Sequence, residues 1–166
     1  MCTSPMRLCV AMITALLIGA CGNPSPSETS VSAACNPTRP NGETPPCEEP
    51  GPTWFGDGGL YTALWPDGQV VADSRSVEAD GSIAMKFPWW RAPGVGSAGD
   101  LQLTGREIRT GATISADIPG GYGQRFQASA ITFPTEGCYE ITARSGDARL
   151  TIITRVAIVA EDPANS

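Results

Sequence analysis

The sequence predicts an all-β fold, two layers of antiparallel strands, seven or eight in number, occupying residues 54–160. Three observations predict it. Between Trp54 and Ala160 the chain runs in short apolar or alternating segments, each stopped by Gly, Pro or Asp. The stops recur about every 8–12 residues, the spacing of a sandwich or small barrel. No segment shows a capped apolar period of 3.6 residues. The longest run free of Gly and Pro between residues 54 and 124, Gln69–Asp80, has little to bury beyond its valines.

Taken in order, Leu60–Trp65 and Gln69–Ala72 flank Pro66-Asp67-Gly68 and predict a hairpin-like pair. Asp80-Gly81 introduces a strand over Ser82–Phe87. Leu101–Thr104 precedes Gly105, Ala112–Ile118 stops at Pro119-Gly120-Gly121, and Arg125–Phe133 stops at Pro134. Cys138–Arg144 turns at Ser145-Gly146-Asp147 into Ala148–Ala160, the longest uninterrupted run and one rich in Ile, Val and Thr.

The stretch Glu136-Gly137-Cys138-Tyr139-Glu140-Ile141-Thr142-Ala143 resembles the penultimate strand of immunoglobulin-like domains, where Gly-x-Tyr-x-(Cys or aliphatic)-x-Ala recurs. The resemblance implies an immunoglobulin-like β-sandwich in which Tyr139 is a corner tyrosine bonded back to the main chain. It also implies that Ile141 takes the core position often held by cysteine, and that Asp147–Ala160 is the last strand. The two-residue period of a strand then turns Cys138 to the outer face. The likeness covers about 25 residues and implies a fold, not an activity. Phe133–Cys138, together with Lys86–Arg91, is also similar to uncharacterised bacterial lipoproteins, a likeness that implies no function.

Upstream of the sandwich the chain reads as address and spacer. Leu8–Ala20 is an apolar run of 13 residues interrupted only by Thr14, preceded by Arg7 and closed by Leu16-Leu17-Ile18-Gly19-Ala20-Cys21. A membrane span needs about 20 apolar residues, so this run fits a signal peptide instead. Its end resembles a bacterial lipoprotein leader, which implies cleavage before Cys21, acylation of that cysteine, and an extracytoplasmic chain held on a membrane by lipid. Met6 is an alternative start. Gly22–Thr53 carries eight prolines in 32 residues and no aromatic, a composition that predicts a disordered tether (residues 21–53). Residues 161–166 read as a short C-terminal tail.

Six cysteines reduce to three. Cys2 and Cys9 leave with the leader and Cys21 takes the lipid. Cys35, Cys47 and Cys138 remain in an oxidising compartment, where disulfides persist. Joining Cys138 to the tether closes a loop of roughly 90–100 residues and contributes about 4–5 kcal/mol in the chain-entropy model, against roughly 3 kcal/mol for Cys35–Cys47. A bridge from Cys138 to the tether is therefore expected, with Cys35 ahead of Cys47.

Composition narrows the chemistry. The formal charge of −6 becomes −7 without Arg7, and no polybasic segment appears, so nucleic acid is not an expected partner. There is no histidine, which removes the commonest general base and metal ligand. Lys86, in Met85-Lys86-Phe87, reads as the outward residue of an alternating strand and lacks a Ser-x-x-Lys setting. A carboxylate-based hydrolase would draw on Asp57, Asp67 and Asp80, but each precedes glycine and reads first as turn chemistry. No Asp-x-Asp-x-Asp run suggests calcium, and Pro119–Gly123 lacks the lysine and helix of a phosphate loop. No catalytic residue, metal or cofactor is expected.

The aromatics offer more. Trp54, Trp89, Trp90 and Tyr122 lie near Gly or Pro, and Trp89 and Trp90 must point to opposite faces if they share a strand. One of the two is then exposed, under Arg91, or else packed beneath the tether. Trp54, Trp89, Trp90, Arg91 and Tyr122 are accordingly the candidate ligand contacts, and an envelope protein or a polysaccharide is the candidate partner. The functional expectation is a non-catalytic binding domain, with a carbohydrate-binding module and a carboxylate hydrolase as alternatives.

Overall fold

The computed structural model describes residues 35–97 and 99–159. The leader, the acylation expected at Cys21, the tether up to residue 34 and the residues from 160 onward lie outside the described residues. All the described residues belong to one compact unit.

Nine strands form two sheets in the described residues. One runs in the order β1 (Trp54–Gly56), β2 (Leu60–Ala63), β4 (Ile83–Arg91), β7 (Phe126–Phe133), β6 (Ser115–Asp117). The other runs β3 (Gln69–Ala72), β9 (Ala148–Ile158), β8 (Gly137–Ser145), β5 (Gln102–Glu107). In chain order, β2-β4-β7-β6 and β5-β8-β9 reproduce the ABED and CFG sheets of the immunoglobulin-like sandwich. β1 extends the ABED sheet, and β3 joins the CFG sheet parallel to β9, Val70 opposite Val156.

Alternation builds the core. Ile83, Phe87 and Trp89 of β4 and Ile131 and Phe133 of β7 meet Tyr139, Ile141, Ile152 and Val156 of the facing layer, each 1% exposed or less. Phe87 stacks near Trp89 at 6.2 Å, and Phe133 meets Tyr139 edge-on at 4.9 Å. Tyr139 donates its hydroxyl to the Thr135 carbonyl at 2.8 Å, the corner that the penultimate-strand motif implied. Ile141 stands two residues on, fully buried.

Three strand expectations are corrected, the first being that Gly105, expected to end a strand over Leu101–Thr104, lies within β5. Leu60–Trp65 and Gln69–Ala72 are not a hairpin, because β2 pairs with β1 and β4 while β3 joins the other sheet. A Pro-Asp-Gly turn reverses the chain without fixing which layer receives it. Here Asp67 and Gly68, both at positive φ, carry the chain across the sandwich. The strand expected to end at Phe87 also runs through Pro88 to Arg91. Proline is tolerated because the β2 ladder begins one residue later, at Thr62 opposite Trp89. The Thr62 hydroxyl donates to the Pro88 carbonyl at 2.8 Å.

The folded unit also takes in residues 35–53, which composition placed in the tether. Cys35 bridges Cys138 on the outer face of β8. The Thr38 N–H donates to Ile153 at 2.8 Å, and the Thr38 hydroxyl accepts from the Ile153 N–H at 2.8 Å, occupying the stretch of β9 that β3 leaves bare. Gly68 is required under this crossing: at φ +67°, a Cβ there would sit 2.4 Å from the Thr38 carbonyl oxygen. Asn41 then brackets edge strand β1, donating to the Gly56 carbonyl at 2.7 Å and accepting from the Gly56 N–H at 3.2 Å. A proline-rich segment with no core of its own is thus held by edge hydrogen bonds and one cross-link, and it blunts two exposed strand edges.

Candidate functional site

The outer face of the ABED sheet carries a row of aromatic rings. Register places Tyr61, Trp90 and Phe126 side by side on β2, β4 and β7. Trp54 of β1 meets Trp90 edge-on at 4.7 Å, Trp90 meets Phe126 at 4.9 Å, and Phe126 meets Tyr122 at 5.3 Å. Gly56 gives the Tyr61 ring its place, since a Cβ there would lie 2.2 Å from the ring. Pro45 of the tether segment is buried and Tyr61 is only 6% exposed, whereas Tyr122, at the far end of the row, is 39% exposed.

The tether segment lies along this row. The Trp90 indole N–H donates to the Glu48 carboxylate at 3.1 Å, and that of Trp54 donates to the Glu49 carbonyl at 2.9 Å. Glu48 ends a turn closed by its N–H on the Pro45 carbonyl, with Cys47 at φ 74°. The Cys47 thiol is free and exposed, 3.4 Å from the Arg125 guanidinium. Burial pushes the Tyr61 phenol above its ordinary pKa, and the nearby charges of Glu43 and Asp57 act in the same direction.

The candidate contacts therefore separate. Trp54, Trp90 and Tyr122 share the row, half-covered or exposed. Trp89 does not: it is 1% exposed and donates its indole N–H to the Ser129 hydroxyl at 3.0 Å inside the sandwich. Arg91 does not shelter Trp90. Because β4 continues past Pro88, alternation turns Arg91 inward with Trp89, to 2% exposure. Its Nη1 donates to the Ser97 carbonyl, and its Nε and Nη2 find no partner among the described residues. Of the disulfide candidates, Cys35 and Cys138 are joined, with Cys47 left over. Phe126 and Glu48 belong to the row but were not singled out from sequence. The alternation of β7 is the signal that places Phe126 beside Trp90.

The three acids considered for hydrolysis do not converge. Asp57 caps the β1–β2 turn by accepting from Gly59 and Leu60, Asp67 pairs with Arg39 at 3.6 Å, and Asp80 accepts from the Ser82 N–H and hydroxyl. The Asp57 turn and Asp80 lie at opposite ends of nine-residue β4, about 30 Å apart at roughly 3.3 Å per residue. A carboxylate pair needs about 5–10 Å.

No protein-family model matches the chain, and no curated protein matches it. Among solved structures, the chain is similar to domains 4 and 5 of the S-layer protein SbsC at 18% identity, with a TM-score of 0.36. The match covers 58% of this chain and 50% of the other, a likeness too slight to bear on fold or function.

Proposed function

We propose that this chain is an exported lipoprotein, acylated at Cys21, whose immunoglobulin-like sandwich is a non-catalytic binding domain. The Cys35–Cys138 bridge carries the reading. Such bridges persist in oxidising compartments, and this one lies a short way past the lipoprotein-like leader. The aromatic row supports a binding role, because it offers flat apolar rings beside the polar groups of Glu48 and Arg125. The test is metabolic labelling with an alkynyl fatty acid. The natural chain should incorporate the label, and a Cys21→Ser chain should not. Label in the serine chain, or none in the natural one, would overturn the reading.

A carbohydrate-binding module is the second reading, favoured by Tyr122 and Phe126 at the open end of the row. Rings so placed can stack on sugar faces. Retention on polysaccharide columns, lost in Tyr122→Ala and weakened in Trp90→Ala, is the expected result. Passage through a broad panel without retention would dismiss it.

A further inference from the structure

We infer that the outer face of the CFG sheet is a basic surface that seats on an anionic phospholipid bilayer. The chain is acidic overall, at −6, yet this face is not. Alternation along β5, β8 and β9 brings Arg106, Arg144, Arg149 and Arg155 to it, all exposed. Glu140 is the one acid within the same strands on that face, 3.8 Å from Arg106. Glu136, at the start of β8, gives its carboxylate to the Ile158 N–H, and Asp147 lies in the turn between β8 and β9.

Register makes the charge pattern informative. Arg144 and Arg149 stand directly opposite each other across β8 and β9, a like-charge pair that weakens a sheet unless something neutralises it. Among the described residues no ion pair reaches Arg144, Arg149 or Arg155. A groove of about 250 Å³ crosses the same face, lined by Thr104, Arg106, Glu140, Thr142 and Arg149. Threonine hydroxyls beside guanidinium groups are donors suited to phosphate oxygens.

The point where the chain is pinned selects the bilayer as occupant. Cys138, opposite Arg155 on this face, holds Cys35, so the described chain begins at this face and not at the aromatic one. Fourteen residue steps separate Cys35 from Cys21, at most about 50 Å of extended chain. If Cys21 is acylated, that length keeps the basic face within reach of phosphate headgroups. The choice of partner thus rests on the proposed anchoring. Val71, on the same side of β3 and 48% exposed, adds an apolar side chain for the interface.

The test removes the anchor, so that the two ideas fail separately. The chain from residue 21 with Cys21→Ser is sedimented with vesicles of phosphatidylcholine alone or with 40% phosphatidylglycerol. Binding is expected only to the anionic vesicles, weakening steeply between 50 and 300 mM salt. Each arginine near an anionic surface contributes about fivefold, so Arg144→Ser/Arg149→Ser should bind roughly 25-fold more weakly, with a melting temperature no lower than the parent's because the like-charge pair is relieved. Glu140→Gln should bind more tightly, and Lys86→Ser, on the other sheet, should bind as the parent does. Equal binding to both vesicles, a double variant that binds like the parent, or a Glu140→Gln chain no tighter than it would overturn the inference. So would displacement by 10 mM glycerol phosphate, which would mark a discrete phosphate site instead of a surface. Fatty-acid labelling of Cys21 is unaffected by any of these results.

Discussion

Replacing both bridging cysteines, Cys35→Ser/Cys138→Ser, tests how residues 35–53 are held. The bridge spans a sequence separation of 103. In the chain-entropy model a loop of that size restricts the unfolded chain by about 4.7 kcal/mol. The native side loses little in contacts, because the bridge lies on the outer face of β8 and the core residues Tyr139 and Ile141 are turned away from it. The expected cost is therefore about 4–5 kcal/mol in equilibrium urea unfolding, with a larger m value because the uncrosslinked chain exposes more surface. At about 2.1 cal/mol/K per residue near the midpoint, a domain of this size should melt roughly 15 °C lower. Far-UV circular dichroism should retain the β signature, since every strand pairing survives. A cost under about 1 kcal/mol with an unchanged m value would refute the argument, as would loss of the fold at low temperature. The first result would mean that the unfolded chain is not restrained by the bridge. The second would mean that the sandwich depends on it enthalpically.

Four smaller tests address individual contacts. Trp89→Ala should cost about 3–5 kcal/mol, because it opens a cavity against Phe87 and removes the indole N–H that the Ser129 hydroxyl accepts. Trp90→Ala, on the outer face, should cost markedly less, and urea unfolding separates the two. Tyr139→Phe should cost about 1–3 kcal/mol by leaving the Thr135 carbonyl without its donor. Glu107 is held below its ordinary pKa by hydrogen bonds from Thr110 above all, with Arg109 adding to the effect. Its folded pKa lies below its unfolded one, so its contribution is present above about pH 4.3 and fades as pH falls through the folded value. The stability gap between the natural chain and Glu107→Gln should accordingly shrink between pH 5 and pH 3 in urea titrations. A gap that widens there would reverse the sign of the argument.

Much of the fold was legible because alternation and turn residues agree. Gln69–Ala72 was placed to the residue, Tyr139 and Ile141 were oriented by one motif, and outward Cys138 foretold a bridge to the tether. What escaped was nonlocal. Nothing in Pro66-Asp67-Gly68 says which sheet receives β3, and nothing local to Pro88 says that β2 stops short of it. That second fact decides the site, because extending β4 by four residues commits Trp89 and Arg91 to the interior and Trp90 to the outside. The aromatic row was half visible for the same reason. Its tryptophans stand out in composition, but Phe126 and Glu48 join it only through pairing and through the path of the tether segment. The basic face was hidden because net charge sums over a chain, whereas a sheet sorts residues by parity.

Parity also explains why this domain can be both self-sufficient and fastened. In an immunoglobulin-like sandwich, a cysteine at the position of Ile141 would join the two layers through the core. Here that position is aliphatic and the layers are held by Phe87, Trp89, Phe133, Tyr139 and Ile152. The cysteine stands three residues earlier, on the opposite face, where it cannot link the layers and can only reach a chain lying outside them. The cross-link is thereby transferred from the core to the tether. It fixes where the incoming chain meets the fold, lays Thr38 on β9 and Asn41 on β1, and leads the proline-rich stretch along Trp54 and Trp90. One shift of face turns a device for joining two layers into one for holding residues 35–53 against them.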